Sequence, residues 1–148
     1  MLINRWINCL LVTLCATNSS QATPCGADGL SATQTSITRT IKAIEPDSFV
    51  KPLNLTLVSS TGLFAYRRLL MPHEGTAQSI APISDLTFSY DKQKGELLMK
   101  CETECWNHDF TRMAKHMVVI SIQSSEAGES LVADLKQLQC LAGRRDRP

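Results

Sequence analysis

The sequence predicts an α+β fold: an antiparallel β-sheet of about five to six strands, covered on one side by a C-terminal amphipathic helix and stapled by disulfides. Three observations point there. Leu86, Phe88 and Tyr90 alternate with Thr87 and Ser89, and Leu97, Met99 and Cys101 return on one face after a turn containing Gly95, which is a hairpin pattern. Leu131, Leu135, Leu138 and Ala142 recur at helical spacing near the chain end. An even set of cysteines remains once an N-terminal export signal is set aside. Strands first and a helix last give α+β. A β-sandwich is the alternative, and it requires the C-terminal helix to be a peripheral addition.

The export signal is read from the first 22 residues. Arg5 supplies positive charge, an apolar stretch runs from Trp6 to Ala16, and Ser20 and Ala22 stand where signal peptidase needs small side chains. The apolar stretch is shorter than the roughly 20 residues of a membrane span. A lipoprotein signal centred on Cys15 fits less well, because Leu14 stands where a small residue belongs. Cleavage before Thr23 leaves residues 23–148 as a single domain of 126 residues with 14 basic and 14 acidic side chains. That length suffices for one core. The balanced charge gives no electrostatic reason to expect a nucleic acid partner or an anionic membrane surface. The expected location is secreted, either extracellular or in a bacterial periplasm.

Along the chain, Thr23 to Thr35 is rich in Gly, Ala, Ser and Thr and reads as an irregular arm. Ile37, Ile41 and Ile44 fit a helical face, yet Thr38 and Thr40 among them favour a strand, and Ser36 to Glu45 is assigned as a strand. Leu53, Leu55 and Leu57 alternate with Asn54 and Thr56, a half-buried strand. Ser59 to Gly62 is a turn and Leu63 to Met71 the returning strand. Pro72-His73-Glu74-Gly75 opens a loop running to about Pro82. Met117 to Ile122 is almost wholly apolar and β-branched, the composition of a strand buried on both faces at the centre of a sheet. Gly143 is placed just beyond the last helix, with Arg144 and Arg145 complementing its dipole.

Cys25, Cys101, Cys105 and Cys140 allow three pairings. On a helix, Cys140 lies about 180° from Leu131, on the side away from the leucine stripe. The arm carrying Cys25 can cross that outer side, which pairs Cys25 with Cys140 and leaves Cys101 with Cys105. Loop-closure entropy values the first bridge at about 5 kcal/mol and the second at about 2 kcal/mol. The crossed pairings are the alternatives.

Chemistry concentrates between Cys101 and His116. A metal site of Cys101, Cys105, His108 and His116 has spacing unlike the usual zinc arrangements, and exported thiols are more often bridged than metallated; no metal and no cofactor is assigned. A C-x-x-x-C pair flanked by Glu102 and Glu104 lacks the electropositive setting of a redox dithiol. No Ser lies in a G-x-S-x-G setting, and no catalytic residue is assigned. The expected function is an exported non-enzymatic protein that binds a macromolecular partner, a protein, as an inhibitor, adaptor or host-directed effector. Its interaction loop is Glu102, Glu104, Trp106 and His108, where Trp106 serves as an interface anchor or else as core. In architecture alone, this loop resembles the short disulfide-closed loop with an acidic residue and a histidine that some bacterial periplasmic lysozyme inhibitors present to their target; here His108 lies outside the ring. The alternative is a small secreted hydrolase or nuclease using His108 and His116 as acid and base, with Lys115 or Arg112 beside the phosphate. Asn54-Leu55-Thr56 is an N-glycosylation sequon on the outward face of its strand.

The signal reading has a direct check. The intact mass of exported material should correspond to a chain beginning at or within a few residues of Thr23, and a species retaining Met1 to Ala22 contradicts it.

Overall fold

A computed structural model describes residues 25–26, 28–46, 49–58, 61–71, 75–109 and 115–145. The export signal and the Thr23 cleavage site lie outside the described residues, as do Ser59 and Ser60 of the turn and Pro72 to Glu74. The elements in chain order are α1 (Leu30–Ala43), β1 (Val50–Val58), β2 (Leu63–Leu70), β3 (Gly75–Pro82), a 3-10 turn (Ile83–Asp85), β4 (Thr87–Asp91), β5 (Glu96–Lys100), β6 (Asn107–His108), β7 (Met117–Ser121) and α2 (Ser125–Arg145). The class is α+β. The strands form two antiparallel sheets, ordered β1-β2-β3-β6 and β4-β5-β7. Among the described residues no helix is long and apolar enough to cross a membrane.

β1 carries a bulge between Pro52 and Asn54. The extra residue reverses the inward phase: Leu55, Leu57 and Pro52 are buried, while Leu53 is not part of the core. Proline is tolerated there because a bulge interrupts the ladder. On β2 the inward phase is Phe64, Tyr66 and Arg68, and across from these stand Ala81, Ser79 and Ala77 of β3. That pairing explains why residues 75–82, expected as loop, are a strand. Three small inward residues answer three large ones, so β3 carries none of the bulky apolar alternation by which strands are recognised.

The segment expected as an arm and a strand, up to Glu45, is mostly helix. α1 buries Thr33, Ile37 and Ile41, one side of a helix, with Ile44 just beyond its end. Its β-favouring threonines are accommodated by bonding back one turn: Thr35 Oγ donates to the Ser31 carbonyl (2.9 Å) and Thr38 Oγ to that of Gln34 (2.9 Å). Packing against α2 and β1 then overrides local preference. Ser36 Oγ donates to Asp134 of α2 (2.7 Å). The Gln34 side chain donates to the Leu55 carbonyl (2.6 Å) and accepts from the Leu57 amide (3.3 Å), so α1 closes the outer edge of β1.

In the second sheet, Phe88 pairs with Met99 and Tyr90 with Leu97, as a hairpin requires. Asp91 Oδ1 accepts the amides of Gln93 (3.0 Å) and Lys94 (3.2 Å), and Gly95 closes the turn at φ 66°, a left-handed conformation suited to glycine. β7 is not the central, doubly buried strand its composition suggests. Among the described residues it pairs with β5 alone, Val118 and Ile120 face the core, and Val119 is 39% exposed. A small sheet with one covered face leaves apolar residues outside when the strand lies at its edge.

α2 begins at Ser125 with Ser124 as its cap, whose Oγ accepts the Ala127 amide (3.2 Å). Leu131, Leu135 and Leu138 are fully buried. The helix is thus a wall of the core rather than a peripheral addition. It continues through Gly143 instead of stopping before it. Two glutamines on α2 seat neighbouring chain: Gln139 Nε2 donates to the carbonyls of Ile83 (2.6 Å) and Leu86 (2.7 Å), and the Gln137 amide engages Gly26 and Asp28. Beside Gln137, Cys25 is bonded to Cys140 with Cα atoms 5.7 Å apart, and Cys101 is bonded to Cys105 at 6.2 Å. Both helices and both sheets contribute to one buried cluster.

Two glycines of α2 should respond oppositely to alanine. A Cβ at Gly128 would overlap the Tyr90 ring, whereas nothing lies near one at Gly143. Gly143→Ala should stabilise by up to about 1 kcal/mol through helix propensity. Gly128→Ala should destabilise by about 1–3 kcal/mol, because overpacking exceeds that gain. Chemical denaturation of the two variants decides between them.

Candidate functional site

The disulfide ring begins where β5 ends. Cys101 is buried, and its amide donates to the His116 carbonyl (3.0 Å); one residue beyond the ring, the Trp106 amide donates to the Lys115 carbonyl (2.9 Å). Both ends of the ring are therefore tied to the turn before β7. Glu102, Thr103 and Glu104 point outward and are exposed. Glu104 lies 3.9 Å from Lys115, an exposed pair of little energetic weight. Glu102 and Thr103 share a recess of about 360 Å³ with Asp85 and Thr87, so two carboxylates border one concavity.

Of the two roles open to Trp106, interface anchor or core, it takes the second. It is 2% exposed, its ring meets Phe64 edge-on at 6.4 Å, and its Nε1 donates to the Met99 carbonyl (3.3 Å). The chain crosses here from β5 in one sheet to β6 in the other, and a large apolar side chain at the crossing fills the space between them. Of the four residues assigned to the interaction loop, Glu102 and Glu104 face outward, Trp106 is core, and His108 is half-buried on β6.

His108 stacks on Trp106 with ring centroids 6.2 Å apart and planes 7° from parallel. Its Nδ1 lies 2.6 Å from Ser79 Oγ, which also accepts from Arg68 Nη1 at 2.7 Å. The guanidinium can only donate, so Ser79 Oγ accepts from it and keeps its own proton to donate to Nδ1 in the tautomer that leaves that nitrogen bare. Ser79 is fully buried and Arg68 is 2% exposed. Burial pushes the Arg68 guanidinium down from its ordinary value, opposed by nearby Tyr66 and Asp109. A hydroxyl enclosed in this way and held by a cation offers no approach to a substrate. The group positions β6 on β3.

The sequence reading missed Arg68 and Ser79. The signal for Arg68 was its phase, since Phe64, Tyr66 and Arg68 lie on one face of a strand. Ser79 had no signal apart from its partner.

The other candidates fall as follows. His116 is exposed in the turn before β7, and Lys115 beside it faces Glu104, while Arg112 lies outside the described residues. Cys101 and Cys105 are consumed by their bridge, which removes the thiolates a metal would need. Asn54, expected on an outward face, is half-buried, with Oδ1 and the Thr56 hydroxyl enclosed.

Removing the Trp106 ring creates a cavity between the sheets. Trp106→Ala should cost about 3–5 kcal/mol of stability, read by denaturant unfolding. A change below about 1 kcal/mol would show that the ring is not a core anchor.

Compared with protein-family models, with curated proteins and with solved structures, the chain matches none.

Proposed function

We propose that this chain is an exported, non-enzymatic protein that binds another protein through the disulfide ring and the acidic recess beside it. The observation that carries the reading is that Glu102 and Asp85 line one concavity, with Glu102 on backbone closed by a disulfide and tied at both ends. A ring fixed in this way loses little conformational freedom when it docks. Two carboxylates at a recess favour a lysine or arginine side chain of the partner, which is the chemistry of an inhibitor or adaptor seated on a basic cleft. Two disulfides are compatible with an oxidising, exported setting. Trp106 supports the ring from beneath rather than by contact with the partner.

The test is affinity capture with the oxidised chain from Thr23 to Pro148, alongside Glu102→Gln, Asp85→Asn and the double variant. All three should melt like the parent, because both side chains are exposed. The double variant should retain a parent-captured protein about tenfold less well or worse, and raising salt should mimic the change. Equal capture by parent and double variant defeats the ring reading. Hydrolysis of nucleic acid by the parent, lost in His108→Ala or His116→Ala, replaces it with the enzyme.

A further inference from the structure

We propose that the Cys101–Cys105 bridge is an exchangeable disulfide, opened by an external dithiol without unfolding the domain, and that its opening releases Glu102 from the recess it shares with Asp85. The effect on a partner rests on the ring reading above; the chemistry of the bridge does not.

Two hydrogen bonds tie the chain on either side of the ring to the turn before β7, from the Cys101 amide to His116 and from the Trp106 amide to Lys115. Neither uses a sulfur. Trp106 is buried between the sheets, and the Cys25–Cys140 bridge, which joins residues 115 apart, is untouched by events at the ring. The bridge at the ring joins residues only four apart, and a loop that short constrains the unfolded chain little, so the fold survives its loss. Within the ring the dependence is reversed. Glu102 and Thr103 make no hydrogen bond among the described residues. The Cys105 amide bonds to the Cys101 sulfur itself (3.3 Å), and the contact of Glu104 with Lys115 is exposed. The place of Glu102 at the recess therefore depends on the bridge. The other bridge is held differently: Gln137 bonds Gly26 and Asp28, which keeps Cys25 beside Cys140 and favours re-formation whenever that bond is cut.

The surroundings of the Cys101 sulfur suit the reduced state as well as the bridged one. It lies 3.7 Å from the His116 carbonyl oxygen and 3.9 Å from that of Lys115. A bridged sulfur has no proton to give them, whereas a thiol is a weak donor. The Cys105 amide is directed at the same sulfur and stabilises a thiolate as it departs. In the opening reaction, a thiolate of the dithiol attacks the sulfur of Cys105, the more accessible of the two cysteines. The S–S bond breaks and its electron pair leaves on Cys101. The reagent's second thiolate then attacks the reagent's own sulfur in the mixed disulfide, and Cys105 departs as a thiolate. The two protons of the dithiol end on Cys101 and Cys105; the bridge is reduced by two electrons and the reagent is oxidised to its disulfide. Glu102 and Glu104, both exposed, repel an anionic thiol, so a neutral or cationic dithiol is favoured.

The probe is dithiothreitol, a neutral dithiol, titrated onto the oxidised chain from Thr23 to Pro148, with an iodoacetamide quench and peptide mapping. Cys101 and Cys105 should be labelled at about tenfold less reagent than Cys25 and Cys140, while circular dichroism and Trp106 fluorescence remain those of the folded domain. The monothiol β-mercaptoethanol should be trapped as a mixed disulfide on Cys105 rather than Cys101. Joint reduction of both bridges, earlier reduction of Cys25–Cys140, unfolding when the ring opens, or an adduct on Cys101 overturns the proposal. The opened ring, and the double variant Cys101→Ser with Cys105→Ser, should each retain a parent-captured protein about tenfold less well. Equal capture by both also overturns it. If the variant Glu102→Gln with Asp85→Asn still loses capture in that case, only the regulation has failed; if it too captures equally, the ring reading has failed with it.

Discussion

The contact on which the structure depends is made by Phe64. It is fully buried on β2, and its ring meets Phe88 of β4 at 6.0 Å and Trp106 at 6.4 Å, both edge-on. Edge-to-face pairs of this kind add to the burial of large apolar area. They also join two sheets that share no ladder. The position of Trp106 follows from this contact, and the position of the disulfide ring follows from Trp106. His108 stacks on the same indole, which lays β6 against β3 and brings the imidazole to Ser79 and, through Ser79, to Arg68. The polar chain and the ring thus share one apolar support.

How much of this the sequence showed depends on whether a residue's role is local. The hairpin, the leucine stripe of α2 and the alternation of β1 at Leu55 and Leu57 are periodic patterns in the chain itself, and they were legible, whereas the bulge that takes Leu53 out of phase was not. So was the face of Cys140, because helix geometry alone sets it. α1 was not, because its threonines favour a strand locally and are helical only through bonds to the previous turn and packing on α2. β3 was hidden by Ala77, Ser79 and Ala81, whose small size is explained only by Arg68, Tyr66 and Phe64 across the ladder. β7 showed the complementary error: apolar composition reports burial on average, and cannot distinguish a central strand from an edge strand. At the site, Glu102 and Glu104 were legible as exposed charges on a short ring. Trp106 was ambiguous between interface and core because tryptophan serves both roles.

The sheet edges show how a small domain distributes its unpaired backbone. α1 closes β1 through one glutamine that acts as both donor and acceptor, in place of a neighbouring strand. β3 is followed by only the two residues of β6, but these carry the imidazole that ties in the buried polar chain. β7 has no comparable device among the described residues. This asymmetry follows from the topology: α1 and α2 pack on one another, and α1 is committed to the β1 side of the molecule.

Arg68 is an inward position that apolar packing alone does not explain. A guanidinium taken from water is costly, and apolar groups of similar volume often serve stability equally well or better at such positions. The shift in its pKa is downward, which means the folded state disfavours the charged form. Arginine stays protonated across the ordinary pH range, so this cost is present at every working pH and cannot be titrated away. Ser79, Tyr66 and Asp109 offset part of it. The near-zero net charge of residues 23–148 conceals local polarity: acidic side chains border the recess at the ring, and a cation is buried against Ser79 between β2 and β3.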